Sequence, residues 1–111
     1  TQGGESFHQG LDIAAEAGSS ISSLFFGVVT ETGANDSYGN YIVISHGNGL
    51  EVLYAHCSQI LAAKDAVIRA GETVARVGTT GDSTGNHLHI EVRLDGGAYD
   101  PADVVPLEWY A

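Results

Sequence analysis

Apolar residues in this chain occur in short runs or alternate with polar residues, and turn-forming residues separate one run from the next. No window keeps a helical period for more than about two turns, which argues against long helices. The pattern instead predicts short β-strands bounded by Gly, Asn and Asp. The predicted strands are residues 11–15, 24–31, 40–46, 50–57, 67–68, 73–78 and 87–94.

The connections between these strands carry signals of their own. Asn48-Gly49 predicts a hairpin turn, because both residue types tolerate the positive φ angles that such turns require. Asp100-Pro101 and Pro106 indicate an irregular tail that carries one more short strand. The other connections are predicted as a loop at residues 33–37, a short helical turn at 58–64 and a tight connection at 70–72.

This density of short strands predicts an all-β fold, either an antiparallel β-sandwich or a collapsed, barrel-like sheet. A length of 111 residues suits one domain, and we place that domain at residues 1–111. A chain of this size can remove roughly two-thirds of its unfolded surface from water. A core is therefore feasible without disulfides, and the one cysteine, Cys57, excludes an internal disulfide.

The charge balance excludes several classes of partner. Four Lys and Arg residues against 14 Asp and Glu residues give a net charge of −10. So few basic residues cannot form a phosphate-binding stripe, which argues against nucleic acid as a partner. The acidity also disfavours adhesion to anionic membranes, and no run approaches the ~18 apolar residues of a membrane span. We therefore expect no membrane contact by this domain itself.

The strand at 87–94 carries the clearest candidate chemistry. Because side chains alternate along a strand, Leu88, Ile90 and Val92 share one face, which is typical of a core. His87 and His89 share the other face, about 7 Å apart along the strand. This spacing allows one histidine to bind a metal while the other faces a substrate, and it leaves open which does which. A solvated strand face is the alternative interpretation.

Three further residues add to this pattern. His8 and Asp12 are four residues apart, and an imidazole and a carboxylate are both ligands that zinc accepts. A hydrogen bond within a loop is the alternative for that pair. His56 ends an apolar strand in which it shares parity with Tyr54, so it points into a groove or is a satisfied core histidine. His46, beside the Asn-Gly turn, is interpreted as structural or surface-exposed and is left out of the site.

Ordered blocks along the chain carry a family resemblance. They are residues 8–12, 39–46, 53–56, 71–78 and 81–92, and the last of them, which contains His87-Leu-His89, is the most specific. With these blocks the chain resembles the M23 family of zinc metallopeptidases, the lysostaphin and LytM type of peptidoglycan endopeptidase. Asn86 stands where the family usually has Pro, Ile90 where it has Phe, and Gln9 where Arg is common.

The resemblance implies a lysostaphin-like sheet, similar to the duplicated-hybrid-motif fold, with a groove that holds the metal. It implies Zn²⁺ as the cofactor, with His8, Asp12 and His89 as ligands and His56 and His87 as catalytic histidines. Three protein ligands leave a fourth position for water, as catalytic zinc requires. A neutral His87 could accept the proton of that water and His56 could hydrogen-bond the water or the developing oxyanion, but the order of these roles stays open.

The implied activity is zinc-dependent hydrolysis of peptide bonds in peptidoglycan stem peptides or cross-bridges. We accordingly expect a peptidoglycan peptide as substrate, an extracellular or cell-envelope location, and a larger exported protein of which this chain is a fragment. The main alternative is a non-lytic M23-like scaffold in a cell-envelope or sporulation complex, which would add a protein partner.

Two other interpretations are weaker. A carrier or carbohydrate-binding β-module is one, because residues 67–78 resemble the hairpin of lipoyl-type domains. That hairpin needs a lysine at its tip, but residues 70–72 read Ala-Gly-Glu. Thiol catalysis by Cys57 beside His56 is conceivable, yet strand alternation places the two side chains on opposite faces. A buried structural thiol is therefore expected.

Overall fold

The computed structural model describes residues 10–81 and 87–109, and these residues form an antiparallel β-sheet structure. The all-β prediction is confirmed. Among the described residues the helical structure is confined to two 3-10 turns, Pro101–Asp103 and Leu107–Trp109, and no helix has the length and hydropathy to cross a membrane. The strands are β1 (Leu11–Ala14), β2 (Ser20–Ser22), β3 (Gly27–Asn35), β4 (Gly39–Gly47), β5 (Leu50–Ile60), β6 (Val67–Ile68), β7 (Thr73–Val77), β8 (His87–Leu94) and β9 (Gly97–Tyr99).

Strand β5 is the centre of the topology. The strands follow the order β1-β8-β5-β4-β3-β6, with β2 joined through β7 to β5 and β9 joined to β8. Residues 50–55 of β5 pair with β8, whereas residues 57–60 pair with β7. The sheet therefore divides at residue 56, and within the described residues it does not close into a barrel.

The main core lies on one face of this sheet. In β8 the burial alternates as expected: Leu88, Ile90 and Val92 are buried, and the intervening side chains are partly exposed. Burying one such aliphatic side chain stabilises the fold by about 1.5–3 kcal/mol. A slip of one residue in register would exchange the two faces of β8, so the core residues also fix the direction of His87 and His89.

Two predicted connections are wrong at least in part, because pairing with distant strands overrides the local signals. The loop predicted at 33–37 is partly strand, since β3 continues to Asn35, which pairs with Gly39. The helical turn predicted at 58–64 is also wrong, because β5 continues to Ile60, which pairs with Ala75 of β7. Pairing with β4 maintains the strand over residues 33–35, and the turn is confined to residues 36–38.

The ends of other elements also differ from the predictions. The additional strand, β9, lies before the tail and pairs with β8, while the tail itself forms the two 3-10 turns. Asp100 caps the first turn by accepting a hydrogen bond from the backbone N of Ala102 at 3.0 Å. The strand β2 was not predicted. The hairpin turn at Asn48-Gly49 is confirmed, with φ angles of 54° and 82°.

Candidate metal centre and catalytic histidines

The pairing of β1 with β8 brings a carboxylate to the two histidines of β8. Asp12 lies directly opposite His89 in the register, and both side chains lie on the face away from the main core. Asp12 Oδ1 is 2.6 Å from His89 Nδ1 and 3.5 Å from His87 Nε2. Two positions that are 77 residues apart in the sequence therefore share one cluster.

Gly10 allows the chain to enter β1 close to this cluster. A Cβ atom at this position would lie 2.9 Å from His89 Cε1 and 2.5 Å from the carbonyl oxygen of Ile90. The φ angle of 139° is also one that residues other than glycine rarely adopt. A glycine two residues before Asp12 therefore allows the backbone to pass next to the imidazole ring.

His56 reaches the same cluster through an irregularity in β5. Its φ angle is 61°, and the register with β4 shifts at this point, where Ile42 pairs with Tyr54 but Asn40 pairs with Cys57. The bulge reverses the alternation of side chains, so Tyr54 and Cys57 both face the main core. The prediction that His56 shares the face of Tyr54 is therefore wrong.

The bulge places the His56 ring among the histidines of β8. Its ring centroid is 5.1 Å from that of His87 and 5.7 Å from that of His89. The described residues of the expected site, Asp12, His56, His87 and His89, thus converge on one side of the sheet at the point where it divides. The fifth expected site residue, His8, lies outside the described residues.

The protonation site of His56 follows from its hydrogen bonds. His56 Nδ1 is 2.8 Å from the carbonyl oxygen of Thr80, and a carbonyl oxygen can only accept. Nδ1 therefore carries the hydrogen, and Nε2 of the neutral ring is left with a free electron pair. The backbone N of His56 donates to the carbonyl oxygen of Tyr38 at 2.7 Å, and the residue is 6% exposed. His56 is therefore held in one tautomer and one orientation.

Thr80 is held in turn by the start of β4. Its hydroxyl donates to the carbonyl oxygen of Cys57 at 2.7 Å and accepts from the backbone N of Asn40 at 3.1 Å. Gly39, with a φ angle of 64°, packs against it so closely that a Cβ atom would lie 2.3 Å from the carbonyl carbon of Thr80.

We expect Gly39→Ala to destabilise the fold by about 2–5 kcal/mol, because backbone strain of about 1–2 kcal/mol adds to overpacking of about 1–3 kcal/mol. Chemical denaturation measures the change. Gly71→Ala is the matched control, since Gly71 has a φ angle of 82° but nothing within 4 Å of the added Cβ. Equal losses in the two variants would contradict the close packing of Gly39 on Thr80.

Charged groups contact both nitrogens of His89. Glu91 Oε2 lies 3.0 Å from His89 Nε2, opposite the contact of Nδ1 with Asp12. Burial alone would lower the pKa of His89, but the hydrogen bonds and charges of Glu91 and Asp12 outweigh it and raise the pKa. For Glu91, burial raises the pKa, but contacts with His89, Tyr38 and Arg93 outweigh it and lower the pKa. This surrounding of carboxylates favours a positive charge at His89.

Comparison with known proteins identifies the family. The model of Peptidase family M23 matches residues 6–101, which is most of the chain. The chain belongs to peptidase family M23. Over 97 residues it is 44% identical to the DD-carboxypeptidase/endopeptidase Mpg of Neisseria meningitidis, an alignment that covers 87% of this chain and 22% of Mpg. The chain thus spans about a fifth of the length of the curated relatives that it matches.

Two solved structures have the same fold as this M23 chain. The catalytic domain of lysostaphin from Staphylococcus simulans has a TM-score of 0.81 and 26% identity, over 86% of this chain and 77% of that one. A zinc-containing peptidase from Vibrio cholerae also has a TM-score of 0.81, with 34% identity over 84% of this chain and 29% of that one. The expected lysostaphin-like fold is therefore confirmed.

The described M23 site residues fit a zinc ion by their chemistry. A carboxylate oxygen and an imidazole nitrogen are both zinc ligands, and those of Asp12 and His89 face each other at 2.6 Å. Two ligand atoms of one tetrahedral ion stand about 3.3 Å apart when the bonds are ~2.0–2.1 Å, so the pair needs to open by less than about 1 Å. Within residues 10–81 and 87–109, no group of three His, Cys, Asp or Glu side chains is arranged to hold an ion, and His8 lies outside these ranges.

Two residues near the motifs have structural roles, as expected. Cys57 is free and buried in the main core on the face opposite His56, and burial raises the pKa of its thiol to about 12. His46 lies against Phe25, with ring centroids 5.2 Å apart, and its Nδ1 is 3.0 Å from the carbonyl oxygen of Phe26. Burial lowers the pKa of His46, so a neutral structural role fits it.

Three residues that contact the site histidines were not predicted. Glu91 had a signal, because it lies two positions after His89 on the same face of the strand. Tyr38 and Thr80 had no such signal. Tyr38 lies in the turn before β4 and Thr80 in the loop after β7, and only the folded chain brings them to the site. All three hold a histidine in place through a hydrogen bond to its ring or its backbone.

Proposed function

We propose that this member of a peptidase family is a zinc-dependent endopeptidase that hydrolyses peptide bonds in peptidoglycan stem peptides or cross-bridges. The observation that supports it best is the convergence of Asp12, His56, His87 and His89 on one side of the sheet. His56 has its tautomer fixed by a hydrogen bond from Nδ1 to a backbone carbonyl, and His89 is paired with a carboxylate that can share a metal with it.

The proposed ligands are His8, Asp12 and His89. Zinc, when bound, supplies a Lewis acid for the peptide carbonyl and lowers the pKa of water toward ~7. Asp12 Oδ1 and His89 Nδ1 are the described atoms that would hold it. The remaining chemistry then belongs to His56 and His87, whose rings are in contact with each other.

The structure favours one order of roles for the two catalytic histidines. Because Nδ1 of His56 donates to Thr80, its Nε2 is the nitrogen that can accept the proton of an attacking water. His87, 3.5 Å from the carboxylate of Asp12, can be held as a donor to the developing oxyanion or to the leaving amine. This proposal exchanges the roles that the sequence first suggested for His56 and His87.

The substrate and location are part of the same proposal. The relative Mpg carries the name of a DD-carboxypeptidase/endopeptidase, which favours a hydrolase over a non-lytic scaffold. Stem peptides and cross-bridges are found in the cell wall, so we place the chain in the cell envelope or outside the cell. Residues 1–111 are proposed as one catalytic domain, and a protein partner in an envelope complex stays a prediction.

Incubating the zinc-loaded chain with purified peptidoglycan tests this function. We expect the release of new amino groups, and cleaved muropeptides detected by mass spectrometry. A chelator should abolish this cleavage, and added zinc should restore it. His46→Asn is the control, since Asn can still donate to the carbonyl of Phe26 and His46 lies outside the site. Bound zinc without release of amino groups would contradict the proposal and favour the scaffold.

A further inference from the structure

Glu91 and Tyr38 form a hydrogen-bonded pair behind His89. Glu91 Oε2 accepts from His89 Nε2 at 3.0 Å, and Glu91 Oε1 accepts from the Tyr38 hydroxyl at 2.8 Å. Each oxygen of the carboxylate is thus engaged by one of the two residues. The guanidinium of Arg93 lies 3.5 Å from Oε1, and the Glu91 side chain is only 18% exposed, so its orientation is restricted.

This geometry indicates which nitrogen of His89 faces the proposed metal position and which one faces away from it. A carboxylate oxygen accepts hydrogen bonds, so the contact with Glu91 places a hydrogen on Nε2. An imidazole binds a metal only through a nitrogen that carries no hydrogen. Nδ1 faces Asp12, another of the proposed ligands, and the 2.6 Å contact shows that it also donates to that carboxylate. A metal would therefore displace the hydrogen of Nδ1, while Glu91 keeps the hydrogen on Nε2. Without Glu91, either tautomer and other ring rotations would compete with this arrangement.

Tyr38 extends the support to a second part of the sheet. It lies in the turn before β4, yet its hydroxyl reaches β8, and its ring is 6.4 Å from the ring of His89 with an angle of 27° between the planes. Its carbonyl oxygen accepts from the backbone N of His56. One residue thus contacts both the proposed metal ligand His89 and the proposed proton acceptor His56.

We propose that Tyr38 and Glu91 are positioning residues that hold His89 with Nε2 protonated and Nδ1 directed at Asp12, and thereby set the zinc affinity of this chain. The inference rests on the proposed function, in which His89 is a zinc ligand. Partners of this kind orient a metal-binding imidazole and increase its basicity, and replacing one costs about 10- to 100-fold in affinity.

Zinc affinity, measured by competition with a chromophoric chelator, tests this role without any assay of hydrolysis. We expect Glu91→Gln, which keeps the shape of the side chain, to weaken zinc binding by about 10- to 100-fold. Tyr38→Phe should weaken it less, because it acts through Glu91. The double variant should bind within about twofold of Glu91→Gln alone, since residues that act through one contact are not additive.

The same sheet offers a matched control. The Tyr41 hydroxyl donates to Glu31 in an exposed pair. The Tyr41 ring lies 5.6 Å from that of Tyr38, and Tyr41→Phe keeps this ring contact while it removes the hydroxyl. Glu31→Gln and Tyr41→Phe should therefore leave zinc affinity unchanged, and thermal unfolding of the metal-free proteins checks that all variants fold. Zinc affinity of Glu91→Gln equal to that of Glu31→Gln would overturn the positioning role, and additive losses would overturn the part assigned to Tyr38.

His89→Asn separates this inference from the function on which it rests. If His89→Asn loses zinc while Glu91→Gln retains it, the positioning role fails and the ligand assignment stands. If His89→Asn binds zinc as tightly as the unchanged chain, the ligand assignment fails, and the positioning role fails with it.

Discussion

Replacing His56 with Asn is expected to lower the rate of peptidoglycan hydrolysis by about 10²–10⁴-fold, the usual contribution of a general base, while the zinc content stays unchanged. Asn is the informative replacement because it tolerates the φ angle of 61° better than Ala does. Its amide can also donate to the carbonyl of Thr80, as Nδ1 does. What the variant lacks is the nitrogen that accepts a proton.

The measurement is the rate of amino-group release, with zinc content determined by elemental analysis on the same samples. His87→Asn should also lose activity and keep zinc, whereas His46→Asn should lose neither, because His46 contacts Phe25 and Phe26 away from the site. Loss of zinc from the His56 variant would mean that His56 is a ligand. Activity within about tenfold of the unchanged chain would show that it is not the base.

Strand β8 is the part of the site that the sequence predicts best. Alternation of apolar and polar residues over 87–94 gives both its length and its two faces, since a buried face must be apolar at every second position. The position of Asp12 near His89 needed the family resemblance. Nothing in residues 11–15 indicates that Asp12 pairs with His89 rather than with a residue of another strand.

The direction of His56 could not be read from alternation. The apolar run before it predicts a regular strand, in which His56 would follow Tyr54 into the core face. The bulge arises because β5 changes partners there, from β8 to β7, while it stays paired with β4. Such a change depends on three other strands, so no local pattern in residues 50–57 reports it.

The change of partner also explains why the site lies where it does. A regular strand would continue the ladder between β5 and β8 past His89, which pairs with Ala55. The left-handed residue His56 ends that ladder and exposes its ring to the histidines of β8. Hydrogen bonds from His56 to the carbonyl oxygens of Thr80 and Tyr38 hold the strained backbone in place. The irregularity of β5 is thus what brings His56, the proposed proton acceptor, next to the proposed ligands.

Replacing Asp12 with Asn is expected to have the second large effect, on metal binding rather than on the base. Asn keeps the size of the side chain but removes the negative charge that lies 2.6 Å from His89 Nδ1. Replacing a group that only orients a ligand weakens metal binding by about 10- to 100-fold. Replacing Asp12, a proposed ligand, should weaken zinc binding by more than that. Hydrolysis should be lost in parallel, because His56 cannot replace a missing Lewis acid.

Thermal unfolding with and without zinc separates this loss from a loss of fold. A ligand that binds only the folded chain stabilises it by about 2.7 kcal/mol at a concentration of 100 Kd. Zinc should therefore raise the Tm of the unchanged chain and of Asp65→Asn, a control at an exposed carboxylate with a φ angle of 74° that Asn also adopts. It should not raise the Tm of Asp12→Asn at the same concentration. An equal rise in both variants would mean that the ion binds without Asp12, and the site would then have to be built around histidines alone.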